Sequence, residues 1–129
     1  MFTILHTFDD SAAGRIPYSG IIQATSGLFY GENYEGVGNF GTVFSLNAGL
    51  RPFVATSPWF GPVGSSVIIM GNNLASSTSV TFNGVDAAFV VISNSQINTT
   101  VPAGATTGQV KVSSARGALT SVRVFHVTP

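Results

Sequence analysis

The class of fold is decided by one stretch of sequence, Ser79-Val-Thr-Phe-Asn-Gly-Val-Asp-Ala-Ala-Phe-Val-Val-Ile92. Val80 and Phe82 alternate with polar residues, which is the period-two pattern of a strand with one buried face. Asn83-Gly84 follows, a pair that is typical of two-residue turns because both positions tolerate a positive φ. The apolar run Ala87–Ile92 then predicts a second strand. The stretch therefore predicts a β-hairpin.

Similar short strands are predicted on both sides of this hairpin. They are Val67–Met70, Ile97–Val101, Gln109–Val112 and Ser121–Val127. Several short strands separated by turn residues at intervals of about ten residues are typical of a β-sandwich. Charged residues make up only 8% of the chain, and charged pairs one helical turn apart are missing. We therefore expect an all-β fold.

Charge and cysteine content exclude several classes of function. The 129 residues carry five basic and five acidic side chains, and the basic ones are scattered. Nucleic-acid binding needs a concentrated basic face, so we expect no nucleic-acid partner. No apolar run is long enough to cross a bilayer, so we expect no membrane insertion. Without cysteine, thiolate catalysis and cysteine-type zinc sites are excluded.

A series of motifs in the second half resembles a known family. The motifs are Ser57-Pro58, Gly61-Pro-Val-Gly64, Val67-Ile-Ile-Met-Gly71, Val80-Thr-Phe-Asn-Gly84, Thr100-Val-Pro-Ala103 and Phe125. Their order and spacing over about residues 54–128 resemble the IPT/TIG immunoglobulin-like domain. The resemblance implies an immunoglobulin-like β-sandwich. It also implies recognition, adhesion or spacing outside the cell or at its surface.

Trp59 and Phe60 depart from the family pattern, which usually has small polar residues at this point. Two large aromatic side chains are exposed here unless something covers them. One interpretation is that they pack against the first half of the same chain. The other is that they form a stacking surface for a sugar or a protein partner.

The first half, about residues 3–47, resembles a different family. Its motifs are Ile4-Leu-His-Thr-Phe8, Gly20-Ile-Ile-Gln23, Gly27-Leu-Phe-Tyr-Gly31 and Gly41-Thr-Val-Phe-Ser-Leu46. They are similar to one GloVer-type repeat of large bacterial surface proteins. This resemblance implies a propeller-like β-meander in which the glycine-rich stretch 31–41 is a loop. Only one copy is present, and repeat units seldom bury their apolar faces alone, so we expect a homo-oligomer.

The chain therefore divides into residues 1–47, a linker at 48–53 and a sandwich at 54–129. Most aromatic residues lie at or before Phe60, and Gly49 and Pro52 punctuate the change. The first ten residues lack the basic start of a signal peptide. We therefore expect the chain to be a piece of a longer secreted protein.

Aromatic residues are the strongest candidates for a binding site. Tyrosine and tryptophan combine an apolar face with a polar tip, which suits protein interfaces and sugar stacking. The candidates are Trp59, Phe60, Tyr18, Tyr30 and Tyr34. The expected ligand is a protein or a polysaccharide, and the alternative to a surface recognition module is a carbohydrate-binding accessory module of a polysaccharide-acting enzyme.

Catalytic residues are harder to find. His6, His126, Asp9 and Asp10 have suitable chemistry, and both histidines fall in predicted strands. No Gly-x-Ser-x-Gly motif is present to support a serine nucleophile. The sequence favours a non-catalytic module without metal or cofactor. A small hydrolase with its site at the junction of the two halves, or between subunits, is the remaining alternative.

Overall fold

A computed structural model describes residues 1–8, 14–36 and 40–129. Strands are the main secondary structure of this part of the chain, and the helical element described in it is a 3₁₀ turn at Leu74–Ser76. No helix among the described residues has the length and apolarity that a membrane crossing requires. The strands fall into two units, Met1–Arg51 and Pro52–Pro129. The all-β prediction is confirmed.

The N-terminal unit contains one antiparallel sheet. Its strands are β1 (Arg15–Pro17), β2 (Ile22–Gln23), β3 (Phe29–Glu35) and β4 (Thr42–Leu46). Tyr30 of β3 lies opposite Ile22 on one side and Ser45 on the other, so β3 is central. β1 pairs with the far end of β3, where Arg15 lies opposite Glu35. β2, β3 and β4 therefore form a meander. β1 and β2 lie one after the other along the same edge of β3, and β4 lies along the other edge.

Two sequence-based expectations for this unit are wrong. Residues 1–8 form no strand, so His6 does not lie in one. Instead, the Phe8 ring packs edge-on against Phe44, with centroids 4.8 Å apart. The glycine-rich stretch 31–41 is not a loop throughout, because β3 continues to Glu35. Gly31 lies opposite Phe44, and a Cβ at Gly31 would collide with that ring, so glycine is needed inside this strand.

The C-terminal unit contains ten strands. They are β5 (Ala55–Ser57), β6 (Phe60–Pro62), β7 (Ser66–Met70), β8 (Ser77–Phe82), β9 (Val85–Asp86), β10 (Phe89–Ser93), β11 (Gln96–Thr100), β12 (Val110–Ser114), β13 (Gly117–Thr120) and β14 (His126–Thr128). One sheet has the order β10-β11-β7-β5, and the other has the order β13-β12-β8-β9. β14 and β6 form a separate parallel pair.

The two four-stranded sheets of the C-terminal unit contribute to one hydrophobic core. Along β7, Val67 and Ile69 are buried while Ile68 and Met70 are exposed, as the side-chain alternation of a strand requires. Phe82 and Phe125 meet edge to face in this core, with ring centroids 5.1 Å apart. The core consists of Val54, Val67, Ile69, Leu74, Val80, Phe82, Ala87, Ile97, Val101, Ala105, Val110, Val112 and Phe125. All of these residues belong to the C-terminal unit.

The predicted turn at Asn83-Gly84 is confirmed, but the expected second strand of the hairpin, Ala87–Ile92, is wrong. The two-residue β9 follows the turn, and β10 pairs with β11 in the other sheet. Asn83 has φ 47° and Gly84 has φ 87°, and Phe82 lies opposite Val85 across the turn. The predicted strand Ser121–Val127 is wrong over most of its length. Ser121 and Phe125 form only isolated bridges, and the strand begins at His126. The backbone of this segment bonds to several different elements, so no single ladder can form.

Candidate functional site

The best-defined aromatic cluster lies on the parallel pair β6–β14. His126 lies directly opposite Phe60, and its backbone N–H donates to the Trp59 carbonyl at 3.0 Å. Phe125, which precedes His126, is buried and exchanges two backbone hydrogen bonds with Gly108. Because successive side chains point to opposite sides of an extended chain, the buried Phe125 leaves His126 exposed. Core packing thus fixes the backbone that carries the cluster.

Three rings and one guanidinium group meet at this place. The Trp59 ring lies edge-on to Phe60, with centroids 5.2 Å apart, and edge-on to His126, with centroids 5.3 Å apart. The Arg123 Cζ atom lies over the Trp59 ring, 5.1 Å from its centroid. Trp59 is 40% exposed and Phe60 is 48% exposed. We call these four residues, Trp59, Phe60, Arg123 and His126, the Trp59 patch.

Arg123 is held at the patch by a buried serine. Ser121 accepts a hydrogen bond from the Val110 N–H at 3.0 Å and donates its hydroxyl to the Arg123 carbonyl at 2.8 Å. Only 2% of Ser121 is exposed, so these bonds are shielded from water. The Arg123 main chain is therefore anchored to β12, while its side chain is exposed and reaches Trp59.

The charge at the patch is positive. Arg123 has no carboxylate partner among the described residues. The ion pair found among them joins Arg15 to Glu35, in the other unit. From Pro52 onward the sequence contains three basic residues, Lys111, Arg116 and Arg123, and one acidic residue, Asp86. A planar guanidinium group over a partly exposed indole brings hydrogen-bond donors within a few ångströms of an apolar ring.

The tyrosine candidates belong to the N-terminal unit. Tyr18 and Tyr34 lie next to each other with ring centroids 5.8 Å apart, and both are largely exposed. Tyr30 lies on β3 and is exposed to a smaller extent. The five predicted binding residues are therefore divided between the two units, with Trp59 and Phe60 in one and the tyrosines in the other.

The catalytic candidates His6 and His126 have different surroundings. The His6 ring packs edge-on against Phe8, with centroids 4.8 Å apart, in the N-terminal unit. His126 belongs to the Trp59 patch. Asp9 and Asp10 lie outside the described residues. Within the described ranges, no three residues of the types His, Cys, Asp and Glu group together as metal ligands would.

The N-terminal unit also contains an apolar cavity of about 450 Å³. Residues from the first eight positions line one side of it, including Phe2, Leu5 and Phe8. Ile21 and Phe44 are among the residues that line the rest. The lining offers few polar groups, so the cavity provides apolar contact rather than a set of oriented hydrogen bonds.

A comparison with protein families decides the class of the C-terminal unit. The family model described as the IPT/TIG domain matches residues 53–125. The chain belongs to the IPT/TIG family. The immunoglobulin-like β-sandwich that the sequence motifs implied is therefore confirmed. The match does not include residues 1–52, and their likeness to a surface-protein repeat stays a prediction.

The solved structures that are similar to the chain include two crystal structures. A crystal structure of domains CD, residues 230–489, of another protein is 25% identical, with a TM-score of 0.51, and covers 60% of this chain and 33% of that one. A second crystal structure, of a protein with xylogluco-oligosaccharide, is 24% identical, with a TM-score of 0.50, and covers 77% of this chain and 23% of that one. This IPT/TIG chain thus spans a third or less of each of those chains. No protein with a curated description matches it in sequence.

The sequence predicted Trp59 and Phe60 as a pair but missed Arg123. The arginine is far from Trp59 in sequence, and it reaches the indole only because β14 pairs with β6. Its position three residues before His126 gave no sign of a shared site.

Proposed function

We propose that this chain is a non-catalytic recognition module that binds a polysaccharide through the Trp59 patch. The observation that carries the proposal is the indole of Trp59, which is 40% exposed although three side chains surround it. An exposed aromatic ring on fixed backbone offers a large contact area at a low cost in conformational entropy. Sugar rings have an apolar face of C–H groups that suits such a surface.

The family supports a non-catalytic module, and one structural neighbour supports the ligand class. IPT/TIG membership is in keeping with a module that binds rather than reacts. One similar structure belongs to a protein crystallised with xylogluco-oligosaccharide. We therefore choose a glucan of this type as the first ligand to test, and we expect it to bind at the Trp59 patch.

Affinity electrophoresis in gels that contain single polysaccharides tests the proposal. The chain should be retarded by at least one polysaccharide, and Trp59→Ala should move freely in the same gel. Val90→Ala is the matched control, because Val90 is also exposed on the C-terminal unit but lies on β10, away from the patch strands. Retardation that persists in Trp59→Ala would assign binding to another surface.

We further propose that the module acts outside the cell or at its surface, as part of a larger protein, and that it self-associates. The N-terminal unit supports self-association, because within its described residues no apolar side chain is fully buried. Phe40, Val43 and Ile22 are among the exposed ones. Light scattering over a concentration series should show mass above that of a monomer. A monomer at every concentration would contradict self-association without affecting the polysaccharide proposal.

Protein recognition or adhesion is the second candidate function. The outer face of the β10-β11-β7-β5 sheet exposes Ile68, Met70 and Val90, and an open groove of about 500 Å³ runs beside β10. Exposed apolar patches of this kind are typical of protein interaction sites. If this face joins two copies, Val90→Lys should lower the mass seen by sedimentation equilibrium while polysaccharide binding persists.

A further inference from the structure

We infer that the Trp59 patch selects polysaccharides that contain uronic acids, with Arg123 binding the carboxylate and Trp59 the sugar ring. The inference rests on the polysaccharide function proposed above and deepens it. It starts from the contact that the sequence did not predict, between the Arg123 guanidinium group and the Trp59 indole.

The guanidinium group of Arg123 is available for an anion. Among the described residues it has no carboxylate partner, and the guanidinium group contacts the Trp59 ring. A cation over an exposed aromatic ring gains only about 0.5–1 kcal/mol, so this contact positions the group without satisfying its N–H donors. Arginine presents five such donors in a planar fork that matches a carboxylate in a bidentate manner.

The position of Arg123 fits a sugar acid better than a free anion. The guanidinium carbon lies 5.1 Å from the centre of the indole. A ligand that satisfies both groups needs an apolar ring face and a carboxylate within a few ångströms of each other. A uronic acid has this arrangement, since its carboxylate is attached directly to the sugar ring. A neutral hexose has the ring face but lacks the charge.

The surrounding charge favours the same ligand. The C-terminal unit has three basic residues and one acidic residue, and the acidic one, Asp86, lies on β9 in the β13-β12-β8-β9 sheet rather than on β6 or β14. No acidic side chain of this unit therefore lies on β6 or β14. His126 adds N–H donor capacity beside the indole.

A binding experiment with matched ligands tests the inference. Isothermal titration of the whole chain is performed with polygalacturonate, with its methyl-esterified form and with xyloglucan, at one fixed ionic strength. Esterification removes the charge but keeps the backbone. Polygalacturonate should bind more tightly than its ester. Arg123→Gln should weaken polygalacturonate binding by about tenfold or more, which is the loss of one charge-assisted hydrogen-bonded pair.

Arg116→Gln is the matched control, because Arg116 is a second exposed arginine of the same unit that is not part of the Trp59 patch. It should leave the affinity unchanged. If both arginine variants lose the same amount of affinity, the cause is general charge attraction rather than a contact at the patch, and the inference is overturned. Equal affinity for the acidic and esterified polymers would also overturn it, while leaving the proposed function intact. If none of the three polymers binds, the inference is overturned, whereas the proposed function is judged by the gels with other polysaccharides.

Discussion

The Trp59 indole and the His126 imidazole lie edge to face, with centroids 5.3 Å apart and an interplanar angle of 80°. The same two residues share a backbone hydrogen bond of 3.0 Å from the His126 N–H to the Trp59 carbonyl. Main chain and side chain therefore hold the indole at the same place. The binding surface that we propose depends on this double attachment. If the ring were mobile, fixing it in one position would cost conformational entropy and weaken ligand binding.

His126→Ala should weaken polysaccharide binding without a large effect on folding. An edge-to-face aromatic contact contributes about 0.5–1.5 kcal/mol, and the backbone bond survives the substitution. We expect a loss of affinity of about threefold to tenfold in titration calorimetry. The midpoint of urea unfolding should stay close to that of the unchanged chain. An unaltered affinity would show that the imidazole does not position Trp59.

Ser121→Ala should destabilise the sandwich. The hydroxyl accepts from the Val110 N–H and donates to the Arg123 carbonyl, and its loss leaves a buried donor unpaired. Such a change costs about 1–3 kcal/mol. Urea unfolding measures the free energy. Ser66→Ala, at an exposed position on β7, is the control and should change it by less than about 0.5 kcal/mol. Equal effects of the two substitutions would refute the role given to Ser121.

Gly108→Ala should destabilise the chain through Asn83. The Asn83 amide donates to the Thr106 hydroxyl at 2.8 Å and occupies the space that a Cβ at Gly108 would need. Asn83→Gly should lose the hydrogen bonds but make room for the extra methyl group, because it removes the Asn83 Cβ as well as the amide. In a double-mutant cycle, Gly108→Ala should therefore cost less in the Asn83→Gly background than alone. Strict additivity of the two unfolding free energies would contradict the clash.

Phe125→Ala should be among the most damaging substitutions in the chain. Phe125 is 1% exposed and packs edge to face on Phe82. Removing a buried phenylalanine side chain costs about 3–5 kcal/mol. Phe60→Ala, at a residue that is 48% exposed, should cost less than half of that. The two costs are compared by urea unfolding followed by far-ultraviolet circular dichroism, and similar values would contradict the assigned burial.

The sequence predicted the sandwich because its central strands alternate strongly. Val80, Phe82 and the Asn83-Gly84 turn are local signals that need no information from the rest of the chain. β5, β6 and β13 were not predicted, because they are short and lack alternation of apolar residues. Ser121–Val127 alternates like a strand, yet its backbone partners are divided between Val54, Gly108 and β6.

The candidate site could be predicted only in part for a related reason. Trp59 and Phe60 were visible as an unusual aromatic pair within a family pattern. Arg123 and His126 join them through the pairing of β6 with β14, a long-range parallel contact that no local pattern encodes. From the sequence alone, His126 is a catalytic candidate because of its chemistry. In the structure its neighbours are aromatic rings.

Fluorescence titration is the most direct test of the Trp59 patch as the binding surface, because Trp59 is the only tryptophan of the chain. Its emission reports on the proposed patch without any label. A binding polysaccharide should cause a saturable change in emission intensity or wavelength, with a midpoint equal to the dissociation constant from calorimetry. Binding that calorimetry detects while the emission of Trp59 stays constant would contradict the account, since the ligand would then lie elsewhere on the chain.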